Sequence, residues 1–224
     1  MSTPKIDYTN YYTLVRGGFV EEYFATPIPL TYQCVGSFLA HRPSNLPPVR
    51  KVLDMGAGQG EWGPALRENF KVARIVGVDK FFDGSTPFAK KYYDEWLNDD
   101  FLSLTFEEGS KPDVIIGNPP FSQAEVFIEH ALEIVHPQGH VVALCPLLIL
   151  SGAKRMKSFW FNGPPFVPKV YDNLVRVFVV NPRPNFIPVH GKTGNRLEVG
   201  LFIFSANKTV SEPVVSWLWW EKRE

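Results

Sequence analysis

Two consecutive prolines, Pro119 and Pro120, follow almost directly on a short apolar run, Asp113-Val114-Ile115-Ile116-Gly117, with only Asn118 between. The run reads as a buried parallel strand. Two prolines forbid helix there and remove two backbone N–H donors. A residue before proline is pushed to extended φ/ψ. Asn118 is therefore expected to stand extended at the carboxyl end of a strand, where open α/β sheets place their ligands. Its side-chain carbonyl and the peptide carbonyls after it form an array of acceptors with few donors. Such an array suits the gripping of an –NH2 group by both hydrogens. A conjugated amine has a delocalised lone pair and is a poor nucleophile. Accepting both N–H bonds draws its nitrogen toward tetrahedral geometry and frees the lone pair for attack. Phe121 adds a flat apolar face on which a planar group can stack. The same residues would also make a plain turn that ends a strand, and it is the rest of the chain that weighs against that reading.

Apolar runs suggest further strands at residues 49–54, 74–79, 101–104, 140–145, 174–180 and 197–204, beside the one at 113–117. Helical spacing appears over residues 29–40, 61–69 and 122–135, and a short basic helix over 151–161. Residues 85–97 look helical but interrupted. Strands alternating with helices imply an α/β fold with a mostly parallel sheet and helices on both faces. Residues 1–22, polar and aromatic, read as an arm lying on the domain. The domain itself is expected over 23–205. A tail, 206–224, carries Trp217, Trp219 and Trp220. It is read as packed on the domain in preference to forming a dimer patch.

A chain of 224 residues suits one well-buried domain. It has no apolar run long enough to cross a bilayer and no apolar signal core near Met1, so a cytoplasmic location without membrane association is expected. Cys34 and Cys145 sit in apolar settings and read as core residues of a reducing compartment. No His/Cys cluster has ligand spacing, and no metal is expected. The net charge is zero, but residues 1–140 carry 12 Lys/Arg against 18 Asp/Glu and residues 141–224 carry 11 against 5. A basic later part on an acidic remainder fits a phosphate-facing surface, and equally a mildly polarised solvated one.

Asp54-x-Gly56-x-Gly58-x-Gly60 falls at a strand-to-helix junction. Glycines there allow a tight turn and close approach of a ligand to the backbone. The spacing differs from the dinucleotide fingerprint and from the P-loop. Asp54 would repel a pyrophosphate and welcome a positive amino group. Asp79 ends the next strand, where an acidic residue receives ribose hydroxyls. Asp100 precedes the expected third strand and could accept from an adenine amine. Together these describe a pocket for an adenosine with a cationic amino-acid tail and no phosphate, and S-adenosylmethionine is that molecule.

With these residues the sequence resembles the amino-methyltransferases of the S-adenosylmethionine-dependent superfamily. The matching positions are Asp54 to Gly60, Asp79, Asp100-Phe101-Leu102 and Asn118-Pro119-Pro120-Phe121. Thr26-Pro27, which also reads as a helix start with Thr26 as cap, looks like the N-terminal cofactor motif of the DNA adenine branch. The resemblance implies a Rossmann-like fold of seven strands with the last antiparallel. It implies that Thr26, Pro27, Asp54, Gly56, Gly58, Gly60, Asp79, Asp100, Phe101 and Asn118 hold the cofactor. Asn118, Pro119, Pro120 and Phe121 would form the catalytic motif. A looser likeness joins the segments at 183–186 and 191–198 to a loop of phage-type adenine-specific DNA methyltransferases, with a phage or viral origin as a corollary. In that loop Arg183, Lys192 and Arg196 would meet phosphates and Phe186 would stack on an extruded base, unless it is simply buried. Lys154 and Arg155 would add to the same surface.

The activity implied is methylation of adenine N6 in DNA, by a monomer or homodimer. RNA adenine or guanine amines, cytosine N4, protein glutamine and an inactive partner subunit are the other readings. No separate target-recognition domain like that of larger DNA methyltransferases is expected within these 224 residues, which keeps RNA and single-stranded substrates open.

Overall fold

The computed structural model describes residues 24–165, 167–184, 186–188, 198–207 and 212–221. The arm expected over 1–22 lies outside these residues, as do Lys192 and Arg196. The strands of the main sheet are β1 (Lys51–Met55), β2 (Arg74–Val78), β3 (Glu95–Leu97), β4 (Val114–Gly117), β5 (His140–Pro146), β6 (Leu174–Asn181), β7 (Val199–Ser205) and β8 (Val214–Trp219). They lie in the order β8-β6-β7-β5-β4-β1-β2-β3. From β3 to β5 every pairing is parallel. β7 runs antiparallel to both β5 and β6.

Uninterrupted apolar runs such as Val114-Ile115-Ile116 and Val141 to Cys145 are buried on both faces, as a helix-covered parallel sheet requires. One face is covered by α1 (Ile28–His41), by α2 (Gly63–Asn69) and by Trp62 just before α2; Leu30, Phe38, Trp62 and Leu66 share a core with Val52, Ile75 and Val142. The other is covered by α4 (Ala124–Ile134) and by a helical stretch at 153–160, through Phe127, Ile128, Phe159 and Trp160. A short helix α3 (Pro87–Tyr92) stands beside α2. Cys34 and Cys145 are free and fully buried in these cores, and burial raises both thiol pKa values.

The architecture expected from the sequence is therefore present, with three corrections. The strand beside β2 is Glu95–Leu97, not residues 101–104. Phe101–Ser103 forms a single 3-10 turn instead, because the Asp100 carboxylate accepts from the Leu102 amide at 3.0 Å and caps it. Tyr93 breaks α3 with an extended backbone, and Trp96 then lies over Gly77 of β2, where a Cβ would clash with its ring. Second, Thr26 does not cap α1. The helix starts after Pro27, with no side-chain cap.

The third correction is the strand count, eight in place of seven. The tail forms β8, parallel to β6 at the sheet edge. Leu218 and Trp220 are buried in the α1 face, and Trp220 Nε1 donates to the Pro182 carbonyl at 2.7 Å. Trp217 and Trp219 point the opposite way and are 73% and 70% exposed. No helix among the described residues is long and apolar enough to cross a membrane.

Candidate active site

Because β1, β2, β3 and β4 are parallel neighbours, the residues that follow them share one end of the sheet. Gly56, Gly58 and Gly60 all adopt positive φ, at 66°, 56° and 94°. That backbone disfavours any residue with a Cβ, and it folds the turn back on the sheet. Asp79, just past β2, fixes the turn from below: its Oδ2 accepts from the Gly58 amide at 2.9 Å. Its Oδ1 accepts from the amides of Phe81 and Phe82 at 2.8 and 3.1 Å. Burial raises the Asp79 pKa, and those three amides oppose the rise.

The Asn118-Pro119-Pro120-Phe121 motif packs against this turn. A Cβ placed on Gly56 would lie 3.8 Å from the Asn118 carbonyl oxygen and 4.0 Å from Pro119 Cα. Asn118 Nδ2 donates to Thr26 Oγ1 at 3.2 Å, across 92 positions of sequence. Thr26 is 4% exposed, so this anchor is itself held in the core. With its amide nitrogen engaged on Thr26, Asn118 carries its carbonyl oxygen at the opposite end of the amide.

Two further segments close on the motif. Phe24–Ala25 pairs antiparallel with Ile187–Pro188, which draws the stretch after β6 alongside Thr26. Phe186 is fully buried and meets Phe121 edge-on, with ring centroids 5.7 Å apart. Phe121 is half-buried. Phe186 is thus a wall behind Phe121 and not a free stacking face. Phe101, expected at the cofactor, is likewise a core residue, stacked on Phe127 at 4.9 Å.

Asp54 is the most unusual group in the site. It is fully buried in β1, and Tyr93 Oη donates to its Oδ2 at 2.5 Å. Its Oδ1 has no hydrogen-bond partner among the described residues. Burial is the main cause that pushes its carboxyl up to about 8; the Tyr93 bond works against this, and Glu61 and Asp79 add to it. A buried carboxyl oxygen without a donor costs about 1–3 kcal/mol. An amino group arriving beside the turn would relieve that cost and draw the pKa down. The donor set therefore fits the cationic tail inferred from the sequence.

The raised value carries a sign. A carboxyl that holds its proton more tightly in the folded state stabilises the fold while protonated. That stabilisation is complete below about pH 4 and is lost as pH rises through about 8. Chemical denaturation across this window is expected to show stability falling with pH, by a few kcal/mol in order of magnitude. Asp54→Asn should flatten the slope.

Two of the basic residues are held in ion pairs, and Arg183 stays exposed in its pair. Arg155 Nε donates to Glu125 Oε1 at 2.6 Å, and Arg183 pairs with Glu198. Lys154 is exposed. Asp100 is committed to its turn and has Lys80 Nζ at 3.7 Å. Among the described residues no group of His, Cys, Asp and Glu could hold a metal.

No family model matches the chain. Over 77 residues it is 38% identical to the modification methylase CviBIII of Paramecium bursaria Chlorella virus NC1A, a match that takes in 33% of this chain and 20% of that protein. It superposes on the methyltransferase subunit of a type I restriction-modification system from Streptococcus thermophilus. The TM-score is 0.59 at 14% identity, over 90% of this chain and 49% of the other. The 23S rRNA methyltransferase ErmE matches with a TM-score of 0.51 at 16% identity, over 85% of this chain and 71% of its own. The fold is that of the Rossmann-like methyltransferases. Within this methyltransferase fold the glycine turn, Asp79 and Asn118 occupy neighbouring strand ends, as their sequence order implied. The chain spans a fifth of the length of its viral relative and about half of the Streptococcus subunit.

Two contacts escaped the sequence. Tyr93, donor to Asp54, sits at a helix end with no motif around it. Thr26 stands out in the sequence beside Pro27, but the bond that its hydroxyl accepts from the Asn118 amide spans 92 positions and leaves no local trace.

Proposed function

We propose that the chain is an S-adenosylmethionine-dependent methyltransferase that acts on the exocyclic N6 amine of adenine in DNA. The observation that carries the reading is the lodging of Asn118: directly after the end of β4, against the glycine turn, its amide nitrogen taken by Thr26. Asn118 Oδ1 and the Pro119 carbonyl accept the two N–H bonds of the target amine. Phe121, backed by Phe186, supports the ring. Asp54, Asp79 and the turn from Gly56 to Gly60 hold the cofactor, which supplies an electrophilic methyl group when bound. No strong general base is needed, because the amine proton becomes acidic only after the nitrogen has gained its methyl, and water then takes it. Positioning and acceptor alignment supply most of the rate.

DNA is favoured over RNA by the descriptions of the viral relative and the Streptococcus neighbour, both tied to modification. The basic balance of residues 141–224 agrees with a nucleic acid of either kind. The test incubates the full chain and methyl-labelled cofactor with separate pools of unmethylated DNA, RNA and protein, then digests the labelled pool. N6-methyladenine in DNA is the expected product. Label in RNA would keep the chemistry and overturn the substrate; label only in protein, or in no pool, would overturn the reading.

A further inference from the structure

The face of β8 that carries Trp217 and Trp219 has no part in the site described above. Leu218 and Trp220 turn into the core beneath α1. Alternation along the strand sends Trp217 and Trp219 to the other face, which α4 and the 153–160 stretch cover further in. Both rings stay exposed there, and Val215 extends them into one apolar patch. Among the described residues neither ring meets another and neither indole N–H has an acceptor, whereas Trp96, Trp160 and Trp220 each donate theirs to a carbonyl. A contiguous apolar patch of this kind marks an interaction surface.

The register of the sheet sets the patch level with the Asn118 motif. β8 is parallel to β6, β6 and β5 both run antiparallel to β7, and β5 is parallel to β4, so β8 and β4 point the same way. Trp217 pairs with Val179, Val179 with Gly200 and Gly200 with Cys145. Cys145 lies two residues beyond Ala143, the partner of Gly117 at the end of β4. Along the strands Trp217 therefore stands at the height of Pro119, and Trp219 at the height of Phe121. Four strand spacings separate β8 from β4, about 19 Å across the sheet. Arg183, exposed, follows the end of β6 in that interval, on the way to Phe186 and Phe121.

Residues two apart on a strand stand about 6.8 Å apart on one face. That is two steps of a base stack, at about 3.4 Å each. Two indoles so spaced offer their faces to successive bases, or take one base between them, whatever the sequence. Bases inside a duplex are already stacked on their neighbours, so such a pair of rings suits an unpaired strand. The charges agree. Lys154 and Lys157 are exposed on the stretch that covers this same face, and neither has an ion pair among the described residues. With Arg183 they supply cations for a phosphate backbone.

We propose that Trp217 and Trp219 form a stacking platform for unpaired bases of the strand whose target adenine lies at Asn118. The platform rests on the nucleic-acid reading of that site and gives its substrate a strandedness: single-stranded, or locally opened, over the few nucleotides between Phe121 and β8.

The full chain is titrated, by fluorescence anisotropy, with a labelled single-stranded oligodeoxynucleotide that carries one adenine, and with the same sequence as a duplex. Trp217→Ala and Trp219→Ala should each weaken single-strand binding roughly tenfold, with no change to duplex binding or to the unfolding midpoint. Trp217→Phe should restore most of the loss, because a phenyl ring still stacks. One abasic site is then moved along the oligonucleotide. At a position away from the adenine the parent protein should lose the same factor, and Trp217→Ala should lose nothing further. Parent-like binding by both alanine variants, equal losses on the duplex, or no single-strand binding by the parent would overturn the proposal. So would a parent that sediments as a dimer with variants that sediment as monomers, since a second copy would then cover the patch. Methyl transfer to the same oligonucleotide is read beside the binding. N6-methyladenine made by variants that bind the strand like the parent sinks the platform and leaves the reading of the site. Tryptophan-dependent binding without N6-methyladenine sinks that reading and leaves the platform.

Discussion

Replacing Asn118 with alanine is expected to abolish methyl transfer while cofactor affinity stays close to that of the parent protein. On the proposed function the side chain contributes an acceptor that matters only when the amine is being reshaped for attack. Loss of one such aligned hydrogen-bonding group costs about 10²–10³ in turnover, and more where the group also sets the position of the reacting atom. The glycine turn, Asp54 and Asp79 do not depend on the Asn118 side chain for their own bonds. Single-turnover rates with labelled cofactor, beside calorimetric titration with S-adenosylhomocysteine, separate the two quantities. An Asn118→Ala protein that still methylates would sink the assignment. Thr26→Val is the companion experiment. It removes the acceptor that orients the Asn118 amide and should lower the rate by roughly tenfold to a hundredfold, since misplacing a reacting group is costly even when every contact to substrate survives.

The largest expected effect on stability lies one residue earlier. Gly117 ends β4 with φ at 159°, and a Cβ there would overlap the Met55 carbonyl oxygen of the neighbouring strand and lie 3.0 Å from Asp54 Oδ1. Neither atom can yield, for Met55 belongs to β1 at the centre of the sheet and Asp54 is fully buried. Gly117→Ala combines overpacking with backbone strain and is expected to cost about 3–5 kcal/mol. For a chain of this size that is a drop of roughly 10 °C in Tm, read by thermal unfolding. Gly36 provides the contrast. It lies inside α1 with open space around it, so Gly36→Ala should raise stability by about 0.5–1 kcal/mol. Equal behaviour of the two variants would refute the packing argument.

What the sequence revealed was local. The three glycines announce a turn because each needs a backbone that other residues avoid, and all three have it. The apolar runs that became β1, β2, β4 and β5 announce themselves because burial on both faces leaves no room for polar alternation. What it hid was long-range or ambiguous. An aromatic residue next to a motif reads the same whether it faces a ligand or the core, and Phe101 and Phe186 both face the core. Strand β3 has three half-buried residues directly after a helix, too short for a period to show. The pairs Thr26–Asn118 and Tyr93–Asp54 join positions 92 and 39 apart, and neither leaves a mark in spacing. Arg155 and Arg183 looked like free cations because their carboxylate partners, Glu125 and Glu198, lie 30 and 15 positions away.

The position of β6 has a consequence for how the protein is made. Its neighbours in the sheet are β7 and β8, and both come later in the chain. During synthesis the parallel half, β1 to β5, has all its strands once residue 146 has emerged. β6 then leaves the ribosome with no edge to join, for the strand that connects it to β5 is still to come. Val177, Phe178 and Val180 must wait for residue 205 before they are covered. Partly made chains that expose such strands are the ones that misassemble or aggregate. Nascent chains released between residues 181 and 199 should therefore be less soluble than chains released at 146, so that most of the risk in making this protein falls on a short interval of its translation.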